Sequence, residues 1–213
     1  MAEFTFFTSP MSRGQIARWA LHEVGADYEH VLIGWEGKPP ELLAANPLGK
    51  VPTLIHHTPS GDRVITECAA ICAYLGDVFP AAGLAPAEEE KADFYRWLFF
   101  TAGPIEQGIT ARHFGYEPKN ARERISVGFG DIDVAISILD AHFTENDWTC
   151  GDRFTIADVY VGSQVDWGLL FKTFPETPAF AAYAERCRAR PAYQAAKAID
   201  NALIAEAQAK QEG

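Results

Sequence analysis

The chain has 213 residues, of which 48% are hydrophobic, and its formal net charge at pH 7 is −11. Such a charge disfavours binding to nucleic acid or to anionic membranes, because their phosphates would be repelled. No apolar run approaches the ~18 residues of a membrane span, and the first residues lack a secretory signal pattern. We therefore expect a cytoplasmic protein with no nucleic-acid partner and no membrane association.

Residues 1–78 show alternating strand and helix patterns. Apolar runs bounded by Gly and Pro predict strands, and apolar residues at helical spacing predict helices. In chain order we expect a strand over Phe4–Thr8, a helix ended by Gly25, a strand over Tyr28–Ile33, a short helix from Pro39 or Pro40 to about Ala45, a two-stranded hairpin, and a helix after Thr66. The order β-α-β-α-β-β-α predicts a small α/β layer with one parallel strand pair.

The stretch Asn46-Pro47-Leu48-Gly49-Lys50-Val51-Pro52 leads into the first strand of the hairpin. A proline at the start of a strand removes no ladder hydrogen bond. A trans Pro52 would simply begin an edge strand. If the Val51–Pro52 bond is cis, the backbone of Val51 turns outward and can pair with an extended peptide.

The helix after the hairpin begins with Thr66-Glu67-Cys68. With Thr66 as N-cap, Glu67 and Cys68 lie in the first turn, where free N–H groups and the helix dipole favour an anion. Glu67 either complements its own helix dipole or binds a ligand. A ligand carrying both an ammonium and a carboxylate would use both features.

Residues 79–86 form a Pro- and Gly-rich linker, and strand patterns disappear after it. The expected helices are Glu88–Thr110 with a kink at Gly103-Pro104, Arg122–Phe143, a helix opened by the capping box Thr155-Ile156-Ala157-Asp158, Ala179–Arg188 and Ala192–Ala207. We therefore predict two domains, residues 1–78 and 87–213, the second all-helical.

The four cysteines, Cys68, Cys72, Cys150 and Cys187, lack the spacing of metal ligands. We expect reduced, mostly buried thiols and no metal site. His56 and His57 have no sequence partners suited to a general base, so we do not expect them to be catalytic.

Taken together, these motifs resemble a cytosolic glutathione S-transferase. The proline-led strand after Lys50, the acid-led helix at Glu67, the linker, the capping box and the late Arg190-Pro191 carry the resemblance over essentially the whole chain. It implies a thioredoxin-like α/β N-terminal domain that binds glutathione, and an all-α C-terminal domain that helps enclose a small hydrophobic electrophile. It also implies a homodimer.

The resemblance also implies how glutathione would be bound. A cis Val51–Pro52 would hold the cysteinyl backbone, Glu67 would receive the γ-glutamyl ammonium, and Cys68 would meet the γ-glutamyl carboxylate. Cys68 departs from the serine found in many relatives, which keeps the backbone donor and loses the hydroxyl contact. Lys50 is a candidate for the glycyl carboxylate.

Catalysis requires the glutathione thiol to ionise. Lowering a thiol pKa by ~2 units requires ~2.7 kcal/mol of preferential thiolate stabilisation. One hydrogen bond to a charged acceptor supplies ~1.5–3 kcal/mol and a helix N-terminus ~0.3–1 kcal/mol, so a single hydroxyl suffices. Neither metal nor base is required.

The resemblance implies that this donor lies just after the first strand, as tyrosine, serine or cysteine. Here the segment Thr8–Gly14 contains neither tyrosine nor cysteine, and the identity of the donor stays open. Counting back from Arg13-Gly14 favours Ser9, whereas counting back from Gly25 favours Ser12. We place Ser12 ahead of Ser9 because a serine at a helix entrance can be both N-cap and donor. Arg13 is the third candidate.

The electrophile pocket is expected to involve Met11, Arg112, His113 and Tyr116. Glu106-Gln107 stands where some bacterial relatives carry a His-Lys pair, a departure from that class. We expect a glutathione transferase that conjugates hydrophobic electrophiles and admits peroxide reduction as a second activity. A glutathione-binding, stress-regulatory module with little turnover is the alternative, and a structural or partner-binding role on the same fold is the third.

Overall fold

The computed structural model describes residues 2–35 and 37–212. Its N-terminal elements are β1 (Phe4–Thr8), α1 (Gly14–Val24), β2 (Tyr28–Leu32), α2 (Pro40–Ala45), β3 (Thr53–Thr58), β4 (Gly61–Thr66) and α3 (Cys68–Val78). The predicted order β-α-β-α-β-β-α is confirmed. Gly25 ends α1 as predicted, because it adopts the left-handed conformation (φ 69°) that glycine tolerates best.

The four strands form one mixed sheet in the order β2-β1-β3-β4. β1 runs parallel to β2 and antiparallel to β3, which pairs antiparallel with β4. In this register Thr8 pairs with Leu32, Phe7 with Thr53, and Thr53 with Thr66. The ends of β1, β2 and β4 and the beginning of β3 therefore meet at one end of the sheet, which we call the Thr53 end.

The sheet and α1 share a core of fully buried aromatic and aliphatic side chains, among them Phe4, Phe6, Ile16 and Leu54. Phe4 and Phe6 are two residues apart on β1, so both side chains lie on the face that packs into this core. A smaller cluster of Phe7, Ile33 and Leu42 forms a second buried apolar group. Both faces of β1 are thus covered, and its pairing with β2 and β3 makes it one of the two inner strands of the sheet.

The remaining helices are α4 (Lys91–Phe100), α5 (Glu106–His113), α6 (Ala121–Ser126), α7 (Ile132–Glu145), α8 (Ile156–Leu170), α9 (Pro178–Arg188) and α10 (Pro191–Glu212). At the predicted kink, Gly103-Pro104, the α-helix is interrupted: a π-helical turn over Thr101–Ile105 joins α4 to α5. The predicted continuous helix Arg122–Phe143 is wrong. It divides into α6 and α7 because residues 127–131 leave helical geometry, with Gly130 at φ 62°.

The chain divides into two compact units. One comprises the chain up to Ala85 together with Arg188 onwards, and the other is Pro86–Cys187. α10 packs against α1 within the first unit, so residues 188–213 group with the sheet by contact. The boundaries predicted from sequence, a linker at 79–86 and a domain over 87–213, stay a prediction about domain organisation. The predicted fold class, an α/β thioredoxin-like layer followed by helices, is confirmed.

Among the residues described, no helix has both the length and the apolar character needed to cross a membrane.

Candidate functional site

Three chain segments meet at the Thr53 end of the sheet. Residues 9–13, here called the serine loop, follow β1; residues 50–52 precede β3; and Glu67 follows β4. The Cys68 thiol lies 3.7 Å from the Arg13 carbonyl oxygen, to which it donates. The first turns of α1 and α3 are therefore adjacent.

A buried amide holds the loop that leads into β3. Asn46 donates through Nδ2 to the Lys50 carbonyl (3.2 Å) and to Thr53 Oγ1 (3.1 Å), and its Oδ1 accepts from the Leu48 N–H (3.2 Å). Thr53 Oγ1 donates to the same Lys50 carbonyl at 2.9 Å. These four hydrogen bonds fix the backbone on both sides of Val51.

Val51 itself presents its backbone away from the protein's own hydrogen-bond network. The Val51–Pro52 bond is cis, one of the two alternatives expected from sequence. The Val51 side chain packs against the cluster of Phe7, Ile33 and Leu42. Its N–H and C=O form no hydrogen bond within the described chain. Backbone groups in this state can pair with an extended peptide as a neighbouring strand would.

Glu67 occupies an unusual backbone position. α3 begins at Cys68, so Glu67 is its N-cap, whereas the sequence predicted Thr66. Its carbonyl accepts from the Ile71 N–H at 2.8 Å, while its dihedrals are φ 64° and ψ 121°. A non-glycine residue in such a region costs about 1–3 kcal/mol. These dihedrals are not helical, so α3 begins at Cys68 and not at the residue after Thr66.

The Glu67 carboxylate is exposed and makes no hydrogen bond or ion pair within residues 2–35 and 37–212. A free carboxylate beside a helix N-terminus places an acceptor and a set of donors next to each other. Lys50 is likewise exposed, and its ammonium has no partner among the described residues. The Thr53 end thus carries one carboxylate and one ammonium that form no ion pair within the described residues.

Of the two serine hydroxyls in the serine loop, one is hydrogen-bonded to the backbone of the loop and of α1. Ser12 Oγ donates to the Ser9 carbonyl at 2.7 Å and accepts from the Gly14 N–H at 3.0 Å. The Ser9 hydroxyl makes no hydrogen bond among the described residues. Gly14 is required here, because a Cβ on it would lie 2.0 Å from Thr8 Oγ1. Arg13 is exposed and is the N-cap of α1 by backbone alone.

Of the residues expected at the electrophile pocket, Met11 belongs to the serine loop and is 52% exposed. Arg112 and Tyr116 line a cavity of about 140 Å³ within the helical unit. Arg112 donates to Asp133 at 2.9 Å, and this hydrogen bond raises the Arg112 pKa. His113 is exposed and stacks edge-on against Phe114.

That cavity is polar. Its lining includes Glu117, Arg124, Asp131 and Asp133, whose charges an apolar electrophile would have to desolvate. The cavity gives the electrophile assignment no support, and the assignment of Arg112, His113 and Tyr116 stays a prediction.

Glu106 serves a structural contact in the helical unit. Its carboxylate accepts from the Tyr160 hydroxyl at 2.7 Å and from Gln164 Nε2 at 3.0 Å. These contacts follow the π-helical turn between α4 and α5, where the helix changes its phase. Where some bacterial relatives carry a His-Lys pair, Glu106 of this chain therefore makes hydrogen bonds within the helical unit.

The histidines and cysteines are engaged in the fold. His56 pairs with Tyr74, and His57 bridges Thr5 and Asp62. None of the four cysteines is in a disulfide, and Cys68, Cys72 and Cys187 are buried. Partial burial of Cys150 raises the pKa of its thiol to about 12. No group of three or more His, Cys, Asp or Glu side chains in the described ranges is placed to hold a metal ion.

Two residues that the sequence did not single out contribute to this end of the sheet. Asn46 holds the loop around Val51, and Gln15 donates through Nε2 to the Pro10 carbonyl of the serine loop. A buried asparagine before Pro47 is a weak sequence signal for a turn-fixing amide. Gln15 gives no sequence signal, because its contact with the Pro10 carbonyl depends on how the serine loop folds against α1.

Comparison with known proteins agrees with this architecture. The family model "Glutathione S-transferase, N-terminal domain" matches residues 9–78, and "Glutathione S-transferase, C-terminal domain" matches residues 101–191. Glutathione S-transferase 1 of Schizosaccharomyces pombe is 30% identical over 85% of this chain and 91% of its own length. The Escherichia coli disulfide-bond oxidoreductase YfcG is 26% identical over 87% of this chain and 90% of its own length.

A solved structure extends the comparison to three dimensions. A sphingomonad glutathione S-transferase complexed with glutathione superposes with a TM-score of 0.74 at 27% identity, covering 92% of this chain and 98% of that one. The N-terminal family model covers the serine loop and the acid-led helix, and the C-terminal model covers much of the helical unit. With the S. pombe relative, these matches show that the chain belongs to the glutathione S-transferase family.

Proposed function

We propose that this protein binds glutathione at the Thr53 end of the sheet and transfers its thiolate to hydrophobic electrophiles. The observation that carries the proposal is the set of polar groups left unsatisfied there, above all the Val51 N–H and C=O beside the Glu67 carboxylate. A peptide with a free ammonium offers the matching groups. The glutathione complex of the sphingomonad relative supports the same ligand.

The binding roles follow from charge and geometry. Val51 and Pro52 hold the cysteinyl backbone, and Glu67 accepts from the γ-glutamyl ammonium. The γ-glutamyl carboxylate lies against Cys68, at the start of α3, where helix N–H groups favour an anion. Lys50 pairs with the glycyl carboxylate. Each role uses a group that the described fold leaves available or a helix start that favours the charge.

Ser9 is the proposed donor to the glutathione sulfur. Its hydroxyl has no partner in the described chain, whereas the Ser12 proton is already donated to the Ser9 carbonyl. For Ser12 to serve the sulfur, the hydrogen bond that shapes the loop would have to break. This reverses the order favoured by sequence, and Arg13 remains a third candidate. Met11, exposed on the same loop, is proposed to contact the electrophile.

The test compares wild type with Ser9→Ala and Ser12→Ala. Thiolate absorbance of bound glutathione is titrated against pH, and conjugation of an aryl halide is assayed. Loss of a hydrogen bond to a charged acceptor should raise the bound thiol pKa by about 1–2 units in Ser9→Ala. Ser12→Ala should mainly lower stability, by about 0.5–2 kcal/mol, as loss of a helix-start contact does.

The outcomes separate the candidates. A raised thiol pKa in Ser12→Ala but not in Ser9→Ala would assign the donor to Ser12. A wild type that binds glutathione without ionising it, and turns over neither electrophiles nor peroxides, would refute the transferase proposal. The alternative, a stress-regulatory glutathione-binding module, would then hold. That alternative is favoured by one observation: the Ser9 hydroxyl makes no direct hydrogen bond in the described chain that would hold it toward a sulfur.

Peroxide reduction is proposed as a second activity. Two glutathione thiols supply two electrons to a hydroperoxide, which gives glutathione disulfide, an alcohol and water. The likeness to YfcG, a disulfide-bond oxidoreductase, also favours redox turnover of glutathione. Running both assays with the Ser9→Ala protein shows whether the two reactions share one donor.

A cytoplasmic homodimer is also part of the proposal. Exposed apolar side chains recur one turn apart on two helices of the second unit: Tyr95 and Phe99 on α4, and Val134 and Ile138 on α7. Phe99 is 71% exposed, which is costly for a large aromatic group in water. Burial between two copies would remove this cost, and the mass in solution tests it.

A further inference from the structure

The C-terminal helix meets α1 through two matched rows of polar side chains. On α1 the row is Gln15 and Arg18, and on α10 it is Lys197 and Asp200. Residues three apart share one helix face, so each row points to the other helix. Lys197 Nζ donates to Gln15 Oε1 at 2.7 Å, and Arg18 Nε donates to Asp200 Oδ1 at 2.9 Å.

The Arg18–Asp200 pair determines the register of the two helices. Both side chains are fully buried, and Arg18 also donates to the Tyr28 hydroxyl at 3.0 Å and lies over the Phe6 ring. Burial raises the Asp200 pKa, and the Arg18 charge opposes this shift. Sliding α10 by one turn would leave two buried charges unpaired. Lys197 is thereby held opposite Gln15.

Gln15 carries this contact to the serine loop. Its Nε2 donates to the Pro10 carbonyl, while its Oε1 accepts from Lys197. An amide whose oxygen accepts from an ammonium becomes a better donor at its nitrogen, because hydrogen bonds in a chain polarise one another. The ammonium also orients the Gln15 amide, since only one orientation gives both contacts. The Pro10 carbonyl belongs to the Pro10–Met11 peptide bond, and Pro10 is the residue directly after Ser9.

We propose that Lys197 is a positioning residue for catalysis: through Gln15 it holds the Pro10 carbonyl and so fixes the direction of the Ser9 hydroxyl. This inference rests on the proposed function, which places Ser9 at the sulfur. The loop is otherwise held by the Ser12 contacts and by the Cys68 thiol on the Arg13 carbonyl. Of these side-chain contacts, the one from Ser12 is made to Ser9 itself, and the one from Gln15 is made to the residue directly after it.

Docking of α10 does not depend on Lys197 alone. Further along α1, Glu23 pairs with Arg190 through two hydrogen bonds of 2.6 Å and accepts from Trp19 Nε1 at 2.7 Å. Glu23 is eight residues after Gln15, about 12 Å along the helix. Arg190 directly precedes α10 and provides a matched control: it ties the start of α10 to α1 but lies far from the serine loop.

The experiment uses the full chain and four variants. Lys197→Met removes the ammonium at similar length, and Lys197→Arg keeps a donor for Gln15. Gln15→Glu keeps an acceptor for Lys197 but removes the donor to Pro10. Arg190→Met weakens docking away from the loop. Each protein is titrated for the pKa of bound glutathione thiol, and amide hydrogen exchange is measured at Gly14 and Met11.

Lys197→Met and Gln15→Glu should raise the bound thiol pKa by about half a unit or more, with glutathione affinity changed less than about twofold. Exchange at Gly14 and Met11 should be at least about fivefold faster in these two variants. Lys197→Arg should restore both values. Arg190→Met should lower the melting temperature and leave loop exchange and thiol pKa as in wild type.

Two results would overturn the inference. Loop exchange that is the same in Lys197→Met and wild type would show that the loop does not need this contact, whatever the thiol does. Equal changes in Lys197→Met and Arg190→Met would mean that α10 acts by docking alone. A wild type that binds glutathione without ionising it refutes the proposed function instead, and loop exchange then still decides whether Lys197 holds the loop.

Discussion

Among the helices that begin beside an acidic side chain, α8 and α3 place that acid in opposite environments. At the start of α8, Asp158 is fully buried and accepts from the Thr149 N–H (2.7 Å), the Thr149 hydroxyl (2.6 Å), the Thr155 N–H (2.8 Å) and the Tyr183 hydroxyl (2.8 Å). At the start of α3, Glu67 is exposed, unpaired within the described chain and held at φ 64°.

The difference separates a structural helix start from one that we propose binds a ligand. Burial raises the Asp158 pKa, and the hydrogen bonds from Thr149, Thr155 and Tyr183 oppose that shift by stabilising the carboxylate. Because these donors and the surrounding protein enclose the Asp158 carboxylate, it has no acceptor capacity left for a ligand. Glu67 keeps all its acceptor capacity and carries backbone strain, which persists when the surrounding structure imposes it and is common at functional sites.

The largest expected effect is on stability at α8. Asp158→Ala would leave the Thr149, Thr155 and Tyr183 donors buried without an acceptor, so the free energy of unfolding should fall by about 3–5 kcal/mol. Denaturant titration measures this, with Asp152→Ala, an exposed acid nearby, as control. A loss below about 1 kcal/mol would mean that these donors find other partners.

A smaller effect, on binding rather than stability, is expected at α3. Glu67→Ala should weaken glutathione binding by about 2 kcal/mol, or about thirtyfold, because an ammonium contact is lost. Stability should change by less than about 0.5 kcal/mol, since the carboxylate has no partner in the described fold. Calorimetric titration measures the affinity. Asp77→Ala, an exposed acid at the other end of α3, should bind as wild type does. Unchanged affinity in Glu67→Ala would remove the role assigned to this residue.

The smallest expected effect isolates the backbone of Glu67. Glycine tolerates positive φ, so Glu67→Gly should relieve strain of about 1–3 kcal/mol while losing about 0.4–1 kcal/mol through a more flexible unfolded chain. A net gain of about 1 kcal/mol over Glu67→Ala is expected in thermal unfolding, because alanine lacks the carboxylate but keeps the strain. Equal stability of the two variants would show that the backbone there carries no cost.

Local sequence patterns were sufficient to predict most of the secondary structure of the first unit. The apolar run at Phe4–Thr8, the glycine at 25 and the hairpin before Glu67 each depend on neighbours in the chain, and each agreed with the structure. The division of residues 122–143 into α6 and α7 was missed because their apolar spacing continues through the break at Gly130. Periodicity detects a helix face more readily than it detects an interruption.

The candidate site shows the same limit. Val51, Pro52, Glu67 and Cys68 stand out in sequence because a proline and an acid punctuate regular elements. The choice between Ser9 and Ser12 could not be made there, since it depends on which hydroxyl is already bonded to the backbone. Spacing counts positions, whereas hydrogen-bond partners depend on where each side chain points.

The sequence by itself determined the order of elements in residues 1–78 and the family to which the chain belongs, and it singled out the segments proposed to bind glutathione, because these depend on residue types at short separations. Tertiary structure alone decided that Glu67 carries strain, that Ser12 is occupied, and that Lys197 lies opposite Gln15 across 182 positions of chain. The physical reason is that long-range pairs are selected by packing and by a buried ion pair such as Arg18–Asp200, which leave no mark in local sequence.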